Sequence, residues 1–203
     1  MNIPSKNDCF HLMCAAQMPE HIVAHSLQVC RVGMCLVDHL QLKRIVLDSR
    51  LVQAAALLHD ITKTRSFKTG ENHALTGGQY LSELGYVEVG NLVRQHVRLD
   101  DYPENQNLSE AVIINYSDKR VLHDQIVSLD ERMNYIVDRY GNSPELQQRI
   151  QMLWGKTKAL EKSIFSYMPF APNDLHRHLP SPEVSGEISS YRNVCSQLAW
   201  GSG

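Results

Sequence analysis

The chain has 203 residues, 43% of them hydrophobic and 21% charged, with a formal net charge of −2. That length suits one domain with a full core, or a domain plus a tail, and the balance excludes a disordered chain. It also excludes a basic surface for bulk nucleic-acid binding, so any phosphate must be held by a few local cations or by metal.

In chain order, Asp8 can cap a first helix running to about residue 17, and Pro19 opens the next. Over 20–42, Ile22, Leu27, Val29, Val32, Leu36 and Leu40 recur at helical intervals. Asp48 or Ser49 caps a run in which Leu51, Val52 and residues 54–58 are apolar on almost every face, as in a central buried helix. That helix ends in His59-Asp60. Residues 62–72 are polar, contain Gly70, and read as a loop. Asn72 caps a helix over 73–84 stopped by Gly85, and another spans 87–97. Residues 99–108, with Pro103, read as a loop bordering a pocket, after which Ser109 and Glu110 start a helix through Asp118. Ser128 and Glu131 have capping-box form for a helix ended by Gly141, and Ser143-Pro144 opens one reaching Met168. Pro169, Pro172, Pro180, Pro182 and Gly186 argue against long helices in 169–203.

The class is therefore all-α, a bundle of roughly seven to eight helices over 1–168 followed by an irregular extension over 169–203. The run 54–58 is far short of the ~20 residues that span a bilayer, and the N-terminus lacks an apolar signal core, so the expectation is a cytoplasmic protein with no membrane partner. Cys9, Cys14, Cys30, Cys35 and Cys195 contain no C-x-x-C pair and read as small buried side chains rather than a zinc site or a disulfide framework.

The unusual count is ten histidines, several beside acids. Burying His59 and Asp60 side by side at the end of an apolar helix is costly unless both are satisfied, and a divalent metal satisfies both. His25 shares a helix face with Val29, Val32 and Leu36 and should point inward. His73 opens a helix, His96 follows Leu92 and Val93, and Asp118 follows the apolar run 111–114. His21, four residues before His25, competes for its role. His11, His39 and His123 read as polar or half-buried helix positions, and His176 and His178 as solvated tail residues. Arg94 and Arg98 lie two residues either side of His96, about 200° around a helix, and face elsewhere.

The order His25, His59-Asp60, His73, His96, Asp118 resembles the HD-domain superfamily of metal-dependent phosphohydrolases, specifically its six-ligand, two-metal branch. The local segments are similar too: His25-Ser26-Leu27-Gln28-Val29, Leu57-Leu58-His59-Asp60-Ile61-Thr62-Lys63, His73 to Gly78, and Tyr116-Ser117-Asp118-Lys119. Together they span a motif core of 20–122; Thr62 stands where many relatives have Gly, and the helices of 128–168 match no motif. The resemblance implies that His25, His59, Asp60 and Asp118 hold one metal and that His73 and His96 hold a second, with Asp60 bridging. It implies catalytic roles for Asp60 and Lys63, with Lys63 on phosphate and Arg65 and Lys68 extending a substrate-binding cationic cluster. Imidazole and carboxylate ligands without thiolate suit iron first, then manganese or another transition metal. The implied reaction is hydrolysis of a phosphoester or phosphoanhydride in a small nucleotide-like substrate by a metal-activated hydroxide. The same six ligands also resemble the superfamily's di-iron oxygenases, and a non-catalytic ligand-binding domain is a third reading. A homodimer is compatible with the sequence.

Overall fold

The structure, a computed structural model, describes residues 1–102, 108–180 and 182–200. Among them the chain forms α1 (Lys6–Ala15), α2 (Glu20–Leu42), α3 (Ser49–Leu58), α4 (Lys63–Thr69), α5 (His73–Glu83), α6 (Val87–Val93) and α7 (Glu110–Lys119). An antiparallel hairpin of β1 (Val121–Leu122) and β2 (Gln125–Ile126) follows, then α8 (Leu129–Tyr140), α9 (Pro144–Phe165), a 3-10 turn over Pro172–Arg177, and α10 (Val184–Trp200). The all-α class holds. No helix of the described residues is long and apolar enough to cross a membrane.

The helix starts are set by side-chain caps. Asp48 accepts from the N–H groups of Arg50 and Leu51, Asn72 from those of Ala74 and Leu75, and Ser128 and Glu131 form a reciprocal capping box. At the first helix the cap is Ser5, not Asp8; Asp8 is its box partner and accepts the Ser5 N–H at 2.9 Å. The apolar α3 is the central element, packed by α1, α2, α6 and α7, with Val52 and every residue from Ala55 to Leu58 at 0% exposure. Beyond its first turn, where Arg50 is exposed, only Gln53 is left part-accessible and the apolar faces are enclosed.

Four expectations are corrected. Residues 62–72 are not a loop throughout: α4 fills most of them, and Gly70, at φ 70°, ends it in the left-handed conformation that favours glycine. It buries no residue, so it carries no apolar stripe for a sequence reading to detect. The helix expected over 87–97 stops at Val93, leaving His96 on the turn beyond it. The extension over 169–203 contains α10, because its prolines lie before residue 184 and Ile188, Tyr191 and Val194 pack their shared face on the core. Finally, Cys14 and Cys195 are joined in a disulfide across 181 residues, a pairing invisible to local spacing. Lys6 to Glu187 and Arg192 to Glu20 ion pairs flank that crosslink. Cys9, Cys30 and Cys35 are buried free thiols. Of the expected loop over 99–108, residues 103–107 lie outside the described residues.

One contact matters for the site. Helices α5 and α6 cross where Gly78 meets Gly90: a Cβ on Gly78 would lie 2.6 Å from the Gly90 carbonyl oxygen and 2.8 Å from Arg94 Cβ. Only hydrogen at these positions lets the two backbones approach so closely.

Candidate metal centre

Each histidine and aspartate of the HD-like pattern arrives from a different place in the bundle. His25 comes from mid-α2, His59 and Asp60 from the turn after α3, His73 from the first residue of α5, His96 from the turn after α6, and Asp118 from the last turn of α7. The structure brings all six together. His25 Nε2 lies 3.2 Å from Asp118 Oδ1 and 3.9 Å from Asp60 Oδ2. His59 Nε2 lies 3.4 Å from Asp60 Oδ2 and 3.7 Å from Asp118 Oδ1. On the other side of the same carboxylate, His73 Nε2 is 3.3 Å and His96 Nε2 3.7 Å from Asp60 Oδ1, and the two imidazole nitrogens are 3.2 Å apart. Asp60 thus divides the cluster, Oδ2 facing His25 and His59 and Oδ1 facing His73 and His96.

The rings are turned by the backbone. Nδ1 of His25 donates to the His123 carbonyl at 2.7 Å, that of His59 to Ala56 at 2.8 Å, and that of His96 to Val93 at 2.7 Å. An Nδ1–H committed in this way leaves the Nε2 lone pair free in the neutral ring, aimed at the shared centre. His123 sits at φ 55° in the β1–β2 turn, not in a helix, and contributes its main chain. His96 is held further from α7: Asn115 Nδ2 and Lys119 Nζ donate to its carbonyl at 3.0 and 2.9 Å. Thr62, where glycine was the expected residue, donates its hydroxyl to the His73 carbonyl at 2.8 Å and so ties the start of α5 to the His59-Asp60 turn.

Electrostatically the centre is a buried anion bound by imidazoles. Burial pushes the Asp60 carboxyl up, but His59 and Lys63 beside it outweigh burial and hold it well below the usual carboxylate range. Asp118 behaves alike: burial opposes ionisation, while the His25 hydrogen bond and the Lys119 charge bring it well below. Burial and the neighbouring His59 push His96 down to about 3, so its ring is neutral. Burial pushes Lys119 down to about 8. Two buried atoms, His59 Nε2 and Asp60 Oδ1, have no hydrogen-bond partner. Two subsets have ligand atoms within 4.8 Å of one another: His25, His59 and Asp118, and His59, Asp60 and His96.

The HD-domain family model matches residues 22–121. That stretch is an HD domain. It spans α2 to β1 and contains all six clustered residues. The chain is also similar to a tRNA (cytidine(56)-2'-O)-methyltransferase of Picrophilus torridus, 28% identical over 149 residues, 69% of this chain and 42% of that protein. The chain thus spans less than half the length of this curated relative. No solved structure matches it significantly.

Above the HD cluster opens a cavity of about 580 Å³, lined at its floor by His25, Asp60, His73, His96 and Asp118. Lys63 also lines it, its Nζ 2.6 Å from Asp60 Oδ2. Arg65 and Lys68 do not line it: Arg65 instead pairs with Glu71 at 2.6 Å. The reason is α4, on which Lys63 and Phe67, four residues apart, share the cavity face while Arg65 is turned about 200° away. His21 lines the cavity mouth but belongs to neither cluster, so His25 is the inward residue of the pair. Arg94 pairs with Asp100 at the surface, as its spacing predicted. His178 stacks on Phe170 at 3.9 Å, so it is not a free tail residue.

The cavity walls beyond the HD domain were missed by motif reasoning. Helix α8 supplies Arg132, Tyr135, Ile136, Arg139 and Tyr140, and α9 supplies Leu146, Ile150, Leu153 and Trp154. Both sets follow the i, i+3 or i+4, i+7, i+8 helical stripe. On α8 that stripe is cationic and aromatic in place of aliphatic, and this was the available signal.

Proposed function

We propose that the chain is a metal-dependent phosphohydrolase that cleaves a phosphoester or phosphoanhydride bond of a small nucleotide-like substrate at the HD cluster. The observation that carries this reading is the convergence of four Nε2 atoms on two ionised carboxylates, with His59 Nε2 and Asp60 Oδ1 buried and unpartnered. Ring nitrogens and carboxylate oxygens converging on one point, with His59 Nε2 and Asp60 Oδ1 left unpartnered, are what a cation site requires. In this reading His25, His59, Asp60 and Asp118 hold one ion, and His73 and His96 hold a second with Asp60 between them. A thiolate-free set of imidazole and carboxylate suits iron or manganese. Bound there, such ions supply Lewis acidity toward a phosphoryl oxygen and make water a stronger acid.

The protein's own residues do the rest. Lys63 fixes Asp60 Oδ2 and presents its remaining N–H donors to the cavity, where they can bind a phosphate oxygen. The carbonyls of His123, Ala56 and Val93 keep three rings aimed while charge develops. The apolar walls of α9 keep bulk water from the reacting groups. The methyl transfer named for the Picrophilus relative is not proposed for this chain, because the similarity is 28% and covers 42% of that protein. The test is phosphate release by protein loaded with iron or manganese, against a panel of nucleoside mono-, di- and polyphosphates, cyclic dinucleotides and phosphomonoesters. Turnover of at least one, lost in Asp60→Asn, is expected. Silence across the panel, or oxygen consumption in place of phosphate release, overturns the reading.

A further inference from the structure

Helices α8 and α9 lie outside the HD domain, yet they close the cavity over its cluster. Two donors on these walls stand out. Arg132 Nε on α8 and Trp154 Nε1 on α9 are buried and have no hydrogen-bond partner, and both residues line the cavity. Among the described residues Arg132 makes no ion pair; its protein contact is the Tyr135 ring, 5.7 Å from the guanidinium. Its charge is nevertheless felt across the cavity at Asp118, Lys63 and Lys119. A half-buried guanidinium without a carboxylate partner, lining the same cavity as the HD cluster, is complementary to an anion. Around it the wall is Tyr135, Ile136, Ile150 and Trp154, aromatic and aliphatic surface with the Tyr135 hydroxyl and the indole N–H as its polar groups. A volume of about 580 Å³ is well beyond what inorganic phosphate fills and lies within the range of small-ligand pockets.

We propose that Arg132 anchors the phosphate of the substrate and that the α8–α9 wall seats a nucleobase-like ring beside it, with Trp154 Nε1–H donating to that ring's edge. This rests on the hydrolase reading and names the residues that choose its substrate. Arg132 supplies charged donors to phosphate oxygens that do not react, and the wall offers stacking and one directed donor, which together favour a nucleoside phosphate over a simple phosphomonoester.

The experiment is calorimetric titration of the metal-loaded full chain with a purine and a pyrimidine nucleoside 5′-phosphonate, whose P–C bond resists hydrolysis. The free nucleosides and methylphosphonate are titrated alongside. At least one nucleoside phosphonate is expected to bind more tightly than either of its fragments. Arg132→Met should weaken phosphonate binding by about tenfold or more while leaving nucleoside binding unchanged. Arg132→Lys should recover part of the loss, and Trp154→Phe should weaken nucleoside and phosphonate by the same factor. Wild-type phosphonate affinity in Arg132→Met overturns the proposal, as does an equal loss for the free nucleoside, or a phosphonate that binds no better than methylphosphonate. Should Arg132→Met fail to fold, Arg132→Gln applies the same test. The two readings fail separately. Arg132-dependent binding with no hydrolysis sinks the hydrolase and keeps the anchor; hydrolysis with an unchanged KM in Arg132→Met does the reverse.

Discussion

On the two-ion reading, substituting Gly78 by alanine should cost the His73–His96 half of the proposed metal centre while leaving the other half intact. The added Cβ would sit 2.6 Å from the Gly90 carbonyl oxygen and 2.8 Å from Arg94 Cβ, about 0.8 Å inside ordinary van der Waals contact. Neither neighbour is the far end of a flexible side chain, so α5 and α6 must separate. Helix α5 begins at His73, and α6 leads directly into His96, whose Nε2 atoms are 3.2 Å apart across Asp60 Oδ1. If half of the displacement reaches the rings, about 0.4 Å, it exceeds the ~0.2 Å tolerance of metal–ligand distances. The expected outcome is a folded protein destabilised by about 1–3 kcal/mol, a fall in Tm of about 2–12 °C. Affinity at the His73–His96 side should drop by about 10–100-fold, and affinity at the His25–His59–Asp118 side should stay near wild type. Calorimetric manganese titration, with metal content after gel filtration, reads both. Gly155→Ala is the control: a Cβ there meets nothing within 4 Å in mid-α9, so it should stabilise by about 0.4–1 kcal/mol. Unchanged affinity for two ions in Gly78→Ala, alongside the expected loss of Tm, would refute the coupling of helix crossing to metal geometry.

Further outcomes follow from the same geometry. Asp60→Asn removes the carboxylate shared by both sides, so metal stoichiometry by elemental analysis should fall below that of either single variant, His25→Gln or His96→Gln; retention of full metal content would refute the shared role. Manganese at about a hundred times its Kd should stabilise the wild type by about 2.7 kcal/mol in thermal unfolding, and Asp60→Asn should show none of this gain. In the metal-free protein His96 is neutral because burial and His59 depress it to about 3 from 6.5. Its contribution to stability is therefore complete above pH 6.5 and is lost as pH falls toward 3, at up to about 1.4 kcal/mol per unit. Urea unfolding at pH 5 and 7 should show a smaller pH difference in His96→Gln than in wild type, and equal differences would contradict the assignment. Reducing the Cys14–Cys195 bond, or Cys195→Ser, should cost about 2–4 kcal/mol, read as a Tm shift with dithiothreitol; an unshifted wild type would count against it.

The HD cluster was legible because the order of its six residues resembles a known family, with local chemistry adding to the signal. His59-Asp60 at the end of an apolar helix, and single imidazoles on otherwise apolar faces, are costs that a sequence displays wherever they occur. What the sequence hid was long-range or unpatterned. Helix α4 buries nothing and shows no stripe, so its true face, with Lys63 and Phe67 inward and Arg65 and Lys68 outward, could not be separated from a cationic loop. Helix α10 lay behind a cluster of prolines that spoke for the residues before it, not for Ile188, Tyr191 and Val194. The role of Arg132 required knowing that α8 folds back over residues more than a dozen positions earlier in the chain. Likewise Thr62, a departure from the family pattern, gains its meaning only when its hydroxyl is seen reaching the His73 carbonyl.

Three of the imidazoles are aimed by main-chain carbonyls, those of His123, Ala56 and Val93. A carbonyl belongs to every amino acid, so no side-chain exchange at those three positions deletes the group that does the aiming. Position 56 is already alanine, and exchanging the buried Val93 or the exposed His123 tests a side chain's packing and never the carbonyl that steers the ring. It also means that tautomer and ring angle are settled when the chain folds, and an arriving cation has little left to rearrange.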